Sequence, residues 1–68
     1  MYFYKRIRDL REDAEKTQAD IALLLGIRRQ QYARYEKGIQ EIPLHHLITL
    51  AKYYKVSLDF IVGITNET

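Results

Sequence analysis

The chain has 68 residues, a mass of 8.1 kDa and no cysteine, so it has room for one small domain and no disulfide, zinc ribbon or thiol nucleophile. It is 47% hydrophobic and 29% charged, the composition of a folded chain, and its longest unbroken apolar run, Ile21-Ala22-Leu23-Leu24-Leu25, is far shorter than the roughly 20 residues of a membrane span. Net charge is only +2, yet residues 1–37 hold nine of the eleven Lys and Arg against six acids, a bias that suits an anionic partner such as nucleic acid but also suits a solvated helix surface.

Gly26, Gly38, Pro43 and Gly63 punctuate the chain, and helical spacing fills the intervals. Residues 4–14 place Tyr4, Ile7, Leu10, Arg11 and Ala14 on one face. Thr17-Gln18-Ala19-Asp20 reads as a capping box opening a helix that runs to about Leu25, with Gly26 as its left-handed terminator. A third helix fits about residues 28–37 and ends at Gly38. A fourth starts near Pro43, with Leu44, Leu47, Ile48, Ala51 and Tyr54 predicted to face inward and Leu50 beside them. Ser57 caps a short fifth helix, Leu58 to Val62, with Asp59 in its first turn. No segment sustains alternation of period two. The expectation is an all-α, compact five-helix bundle forming a single domain over 1–68, with its core at about 5–63.

The stretch from Thr17 to Gly38 carries the functional signal. Two helices of similar length flank Gly26-Ile27-Arg28, the length and turn chemistry of a helix-turn-helix at about 17–38. Ala22 and Ile27 supply small and apolar contacts at the crossing, and Tyr32 and Tyr35 face inward. The other face of the second helix offers Arg29, Gln30, Ala33, Arg34 and Lys37. Arg and Gln carry forked donors that match guanine and adenine edges in the major groove.

These residues resemble the phage-repressor-like helix-turn-helix family, also called XRE or Cro. The resemblance spans about residues 5–63. It is carried by Ile7-Arg8-Asp9-Leu10-Arg11, Thr17-Gln18-Ala19-Asp20-Ile21-Ala22, Leu25-Gly26-Ile27, Tyr35-Glu36-Lys37-Gly38, Ile42-Pro43, Leu50-Ala51 and Val56-Ser57-Leu58-Asp59-Phe60-Ile61-Val62-Gly63. It implies a domain whose third helix enters the major groove of double-stranded DNA. Arg29, Gln30 and Arg34 match base-reading positions, with Gln31 and Ala33 at the edge. Gln18 matches a phosphate-gripping residue at a helix N-terminus. Arg11 and Glu36 match an inter-helix ion pair that would also orient Arg11 toward the DNA backbone. Lys37 and Arg28 complete the expected backbone contacts.

Three features depart from the family pattern. Arg28 stands where an N-cap hydroxyl is common. Ile39-Gln40-Glu41-Ile42 lacks basic residues. Leu23 and Leu24 replace polar residues and add apolar surface to the second helix.

Other readings of single features are weaker. Tyr32 and Tyr35 could stack on single-stranded bases, but their spacing favours the core. Tyr54 is expected in the core, Tyr53 half exposed, and Tyr2-Phe3-Tyr4 as a lid. Adjacent His45 and His46 point about 100° apart and make a poor metal pair. Ser57 reads as a cap and no pair of acids suggests acid–base chemistry, so neither an enzyme nor a cofactor or metal is expected. The N-terminus lacks the apolar region of a secretory signal, which leaves a cytoplasmic protein as the expectation. The leading function is a sequence-specific transcriptional regulator acting on DNA, expected as a homodimer at least when bound. Helix 5 (Leu58, Phe60, Ile61, Val62, Ile64) or exposed helix-2 residues would supply the dimer surface. The alternative is a protein-interaction module, such as an antitoxin or regulatory-complex partner, docking through Leu23 and Leu24.

Overall fold

The computed structural model describes residues 3–64. Five helices follow one another: α1 (Phe3–Asp13), α2 (Gln18–Leu25), α3 (Arg29–Lys37), α4 (Leu44–Tyr54) and α5 (Leu58–Val62). No strand occurs among the described residues. The caps follow from local chemistry. Thr17 Oγ1 accepts from the Asp20 amide at 3.0 Å, and Asp20 Oδ2 accepts from the Thr17 amide at 2.9 Å. The Thr17 amide first, and then the Thr17 hydroxyl, hold the Asp20 carboxyl below its ordinary pKa range. Ser57 Oγ accepts from the Phe60 amide at 3.0 Å.

Gly38 ends α3 for two reasons. Its φ of +74° lies in the left-handed region, and a Cβ there would sit 3.1 Å from Tyr4 Cε1. Glycine thus lets the Tyr4 ring close over the end of α3. Of the expected N-terminal lid, Tyr2 and the Phe3 side chain lie outside the described residues. Lys55 takes the same backbone role at the end of α4, with φ +58° and no glycine to announce it.

α3 packs against both α1 and α2, while α5 packs against α1 and α4. Between them lie Ile7, Ile21, Ala22, Tyr32, Tyr35, Ile42, Leu47, Leu50, Ala51 and Ile61. Tyr32 and Tyr35 meet edge to face, with centroids 6.4 Å apart. Arg6 fastens α1 to α5 by donating from Nη1 to the Phe60 carbonyl at 3.0 Å, with its guanidinium over the Phe60 ring.

α4 corrects the sequence reading. Its buried residues are His46, Leu47, Leu50 and Ala51, whereas Leu44 (61% exposed) and Ile48 face solvent. The helix is rotated so that His46 lies against the Tyr35 ring, 6.3 Å between centroids. Burial, then the neighbouring His45, pushes the His46 pKa down, so a neutral imidazole takes the place expected for an aliphatic side chain. Ala14 lies in the turn after α1 and is exposed. Tyr54 is half-buried and Tyr53 exposed.

Candidate nucleic-acid interface

The reversal between α2 and α3 is set by Gly26, whose φ is +72°, and by the Ile27 amide, which donates back to the Ala22 carbonyl at 3.0 Å. These bonds satisfy the end of α2 and release the chain into α3 within three residues. Ala22 is buried and Ile27 half-buried at this corner.

α3 then splits by face. Tyr32, Tyr35 and Glu36 are buried, while Arg28, Arg29, Gln30, Arg34 and Lys37 are exposed. Gln31 and Ala33 lie between the two faces. Arg28 sits at the N-cap in extended conformation and makes no side-chain cap, so the first amides of α3 keep no side-chain acceptor. Among the described residues, Arg28, Arg29, Arg34 and Lys37 have no ion-pair partner. The one acid of α3, Glu36, is turned inward and neutralised. The outer face of the helix is therefore cationic.

The inward acid organises a polar knot joining three helices. Arg11 Nε donates to Glu36 Oε2 at 2.7 Å and Arg11 Nη2 to Glu36 Oε1 at 3.1 Å. The Gln18 amide nitrogen donates to the same Oε1 at 3.0 Å. Arg11 Nη1 donates to the Lys16 carbonyl at 2.9 Å. The side chains are 13% exposed for Arg11 and 2% for Glu36. Burial by itself would raise the Glu36 pKa, but the hydrogen bonds it accepts and the Arg11 charge outweigh that and hold it below the ordinary carboxylate value. The same bond raises Arg11. The Tyr32 hydroxyl lies near this carboxylate without a hydrogen bond of good geometry, and burial pushes its pKa up.

This geometry separates the expected site residues into two groups. Arg28, Arg29, Gln30, Arg34 and Lys37 share the exposed side of α3 and its N-terminal approach. Arg11 and Gln18 do not join them freely. Arg11 places one N–H of each of its three nitrogens on Glu36 or the Lys16 carbonyl, which ties it to α3, and each Nη keeps a second N–H. Gln18 spends one N–H on Glu36 and keeps its other amide hydrogen.

Two further residues enter that the sequence reading left at the margin. The Gln31 amide nitrogen donates to the Tyr35 hydroxyl at 2.9 Å, a pairing that the i, i+4 spacing could have suggested. Gln40, in the loop after α3, lines one surface depression together with Arg28, Gln30, Gln31 and Arg34. Nothing in the local sequence announces that closure. Leu23 is 82% exposed, as its departure from the pattern implied. Ile61, offered for a dimer surface, is fully buried and cannot serve there. His45 and His46 gather no third His, Asp or Glu among the described residues. None of the described helices is long and apolar enough to cross a membrane.

A fold of five helices with this reversal and this cationic third helix defines a helix-turn-helix protein, and residues 7–61 match the family described as helix-turn-helix. The chain belongs to that family, in its phage-repressor-like (XRE/Cro) branch. It is 35% identical over 65 residues to YobD, an uncharacterized HTH-type transcriptional regulator of Bacillus subtilis (strain 168), covering 96% of this chain and 58% of that protein. It is 37% identical over 61 residues to RstR, the cryptic phage CTXphi transcriptional repressor of Vibrio cholerae, covering 90% and 55%. A second Bacillus subtilis (strain 168) uncharacterized HTH-type transcriptional regulator, YqaE, is 35% identical over 66 residues, covering 96% and 57%. The chain thus spans a little over half the length of these curated relatives. No solved structure matches with significance.

Proposed function

We propose that this chain binds double-stranded DNA sequence-specifically and acts in transcriptional regulation, with α3 lying in the major groove. The observation that carries the reading is the division of α3: Arg29, Arg34, Lys37 and a glutamine outside, joined by Arg28 at the N-cap, with no ion-pair partner for these four cations among the described residues, and the helix's only acid locked inside. A groove-binding helix needs that arrangement, because a carboxylate on the outer face would be repelled by phosphate. Family membership and relatives named as transcriptional regulators and a repressor support it. They give the protein-interaction alternative no support.

In this reading Arg29, Gln30 and Arg34 reach base edges. Arg28, Lys37 and the free N–H of Gln18 hold phosphates, and Arg11 fixes the angle of α3 through Glu36. The activity is binding without catalysis, in the cytoplasm. A single module makes a small interface of about 600–1,000 Å², so two copies bind together, with recognition helices about 34–36 Å apart. Selection of binding sites from random duplexes tests the whole reading. The expected result is an inverted repeat, with two chains per site by sedimentation. No enrichment would refute DNA recognition, and one chain per site at saturation would refute the paired arrangement.

A further inference from the structure

The reading surface extends past α3. The depression lined by Arg28, Gln30, Gln31, Arg34 and Gln40 contains two guanidinium groups, three amides and no carboxylate. Four of these residues come from α3 and its N-cap, but Gln40 comes from the loop beyond Gly38. That loop is bent back onto the helix: the Ile39 amide donates to the Arg34 carbonyl at 3.1 Å, and the Gln40 amide approaches the same oxygen at 3.4 Å. Gln40 is therefore held by its backbone beside the very turn that carries Arg34, while its side chain is exposed.

Gln31 is held differently. One of its amide hydrogens is committed to the hydroxyl of Tyr35, a residue 1% exposed and fixed in the core. The bond holds the Gln31 amide in place beside the depression, with one N–H and its carbonyl oxygen not spent on Tyr35. Fixed donor and acceptor groups are what discrimination between base edges requires.

We propose that Gln40 is a specificity-determining residue whose amide, set beside the anchored Gln31, reads one adenine edge next to the bases met by Gln30 and Arg34. An amide offers one donor and one acceptor, matching adenine N7 and N6, and it carries no charge that would favour phosphate over base. This inference rests on the DNA-binding reading above.

The test uses the full chain and a duplex from the selection, with every single-base variant measured at several salt concentrations. Gln40→Ala should reduce discrimination at one position of each half-site by about fivefold to 150-fold, the range of a good two-bond base contact. The other positions should keep their ranking, and the salt slope should stay unchanged because Gln is neutral. Tyr35→Phe keeps the ring but frees Gln31, and should reduce discrimination at that same position by a smaller factor. The thermal midpoint of Gln40→Ala should match the parent, since the side chain is exposed. If Gln40→Ala weakens all variants equally, or changes none, the proposal is overturned. Arg34→Ala on the same panel separates the two levels. If it alters base preference while Gln40→Ala does not, only this proposal fails; if neither it nor any base change alters affinity, the DNA reading itself fails.

Discussion

The inner and outer faces of α3 use charge in opposite ways. Inside, one carboxylate is surrounded by donors from α1 and α2, and removing any of them disturbs the packing of three helices. Outside, four cations sit without ion-pair partners among the described residues, contributing little to folding and leaving the helix free to meet an anion. In the proposed reading, stability and recognition are thus carried by different residues of α3 and its N-cap. Substitutions on the two faces should separate them.

The largest effect should come from the inner aromatic layer. Tyr32 is fully buried, and a domain this small rarely has more than about 3–5 kcal/mol of net stability. Tyr32→Ala should cost about 3–5 kcal/mol and leave the chain largely unfolded at 25 °C by circular dichroism. Tyr32→Phe should be near neutral in urea melts, because the hydroxyl it removes has no hydrogen-bond partner. A large loss from the phenylalanine variant would show that the hydroxyl belongs to the polar knot after all.

The knot should respond asymmetrically. Arg11→Ala leaves Glu36, 2% exposed, as a buried and uncompensated carboxylate, a change that costs about 3–5 kcal/mol in buried pairs. Glu36→Ala leaves Arg11, which is closer to solvent and can turn outward, so its cost should be smaller. Urea melts of both single variants and the double variant measure the coupling. Equal losses from the two single changes would contradict the asymmetry.

Acid should weaken the inner face selectively. Glu36 titrates below its ordinary value of about 4.3, so the folded chain binds fewer protons than the unfolded one in that range. Its contribution is complete above the ordinary value and is lost as pH falls through the folded one. Asp20 shifts in the same direction, so the loss in the parent is shared. Glu36→Gln should be less stable than the parent at pH 7 and should lose less on acidification from about pH 5 to pH 3. Parallel stability curves for the two proteins would remove Glu36 from the acid response.

The two faces of α3 were legible in the sequence because aromatic spacing and glycine termini act locally. α4 was harder. Its aliphatic residues Leu44 and Ile48 outrank His46 in hydrophobicity, yet contact with Tyr35 from another helix decides which side turns inward. The Arg11–Glu36 pairing was reachable through family resemblance, whereas the Gln18 bond to Glu36 and the position of Gln40 depend on how α2 and the loop close around α3. Lys55 in the left-handed region left no trace because nothing about lysine signals it. What escaped the sequence is what arises between elements, and part of the candidate site arises there.

The smallest expected effect bears most directly on the contrast, because it should move stability and binding in opposite directions. Arg28 occupies the N-cap of α3 in the extended conformation a cap requires, with φ −78° and ψ 149°, but its side chain makes no capping bond. Serine fits that backbone and accepts from an early amide of the helix. Such caps are worth about 0.5–2 kcal/mol relative to non-capping residues. Arg28→Ser should therefore raise the urea midpoint modestly. It should also remove a cation from the approach to the helix, weakening DNA binding at every sequence alike and reducing the magnitude of the salt slope by about one. Base preference should be unchanged, since a phosphate contact carries no sequence information. If the variant gained stability yet kept its affinity and salt slope, Arg28 would not touch phosphate, and the absence of a cap would have no explanation in DNA binding. If stability fell, the arginine would be supporting α3 itself, and the separation between the two faces would fail at the residue where they meet.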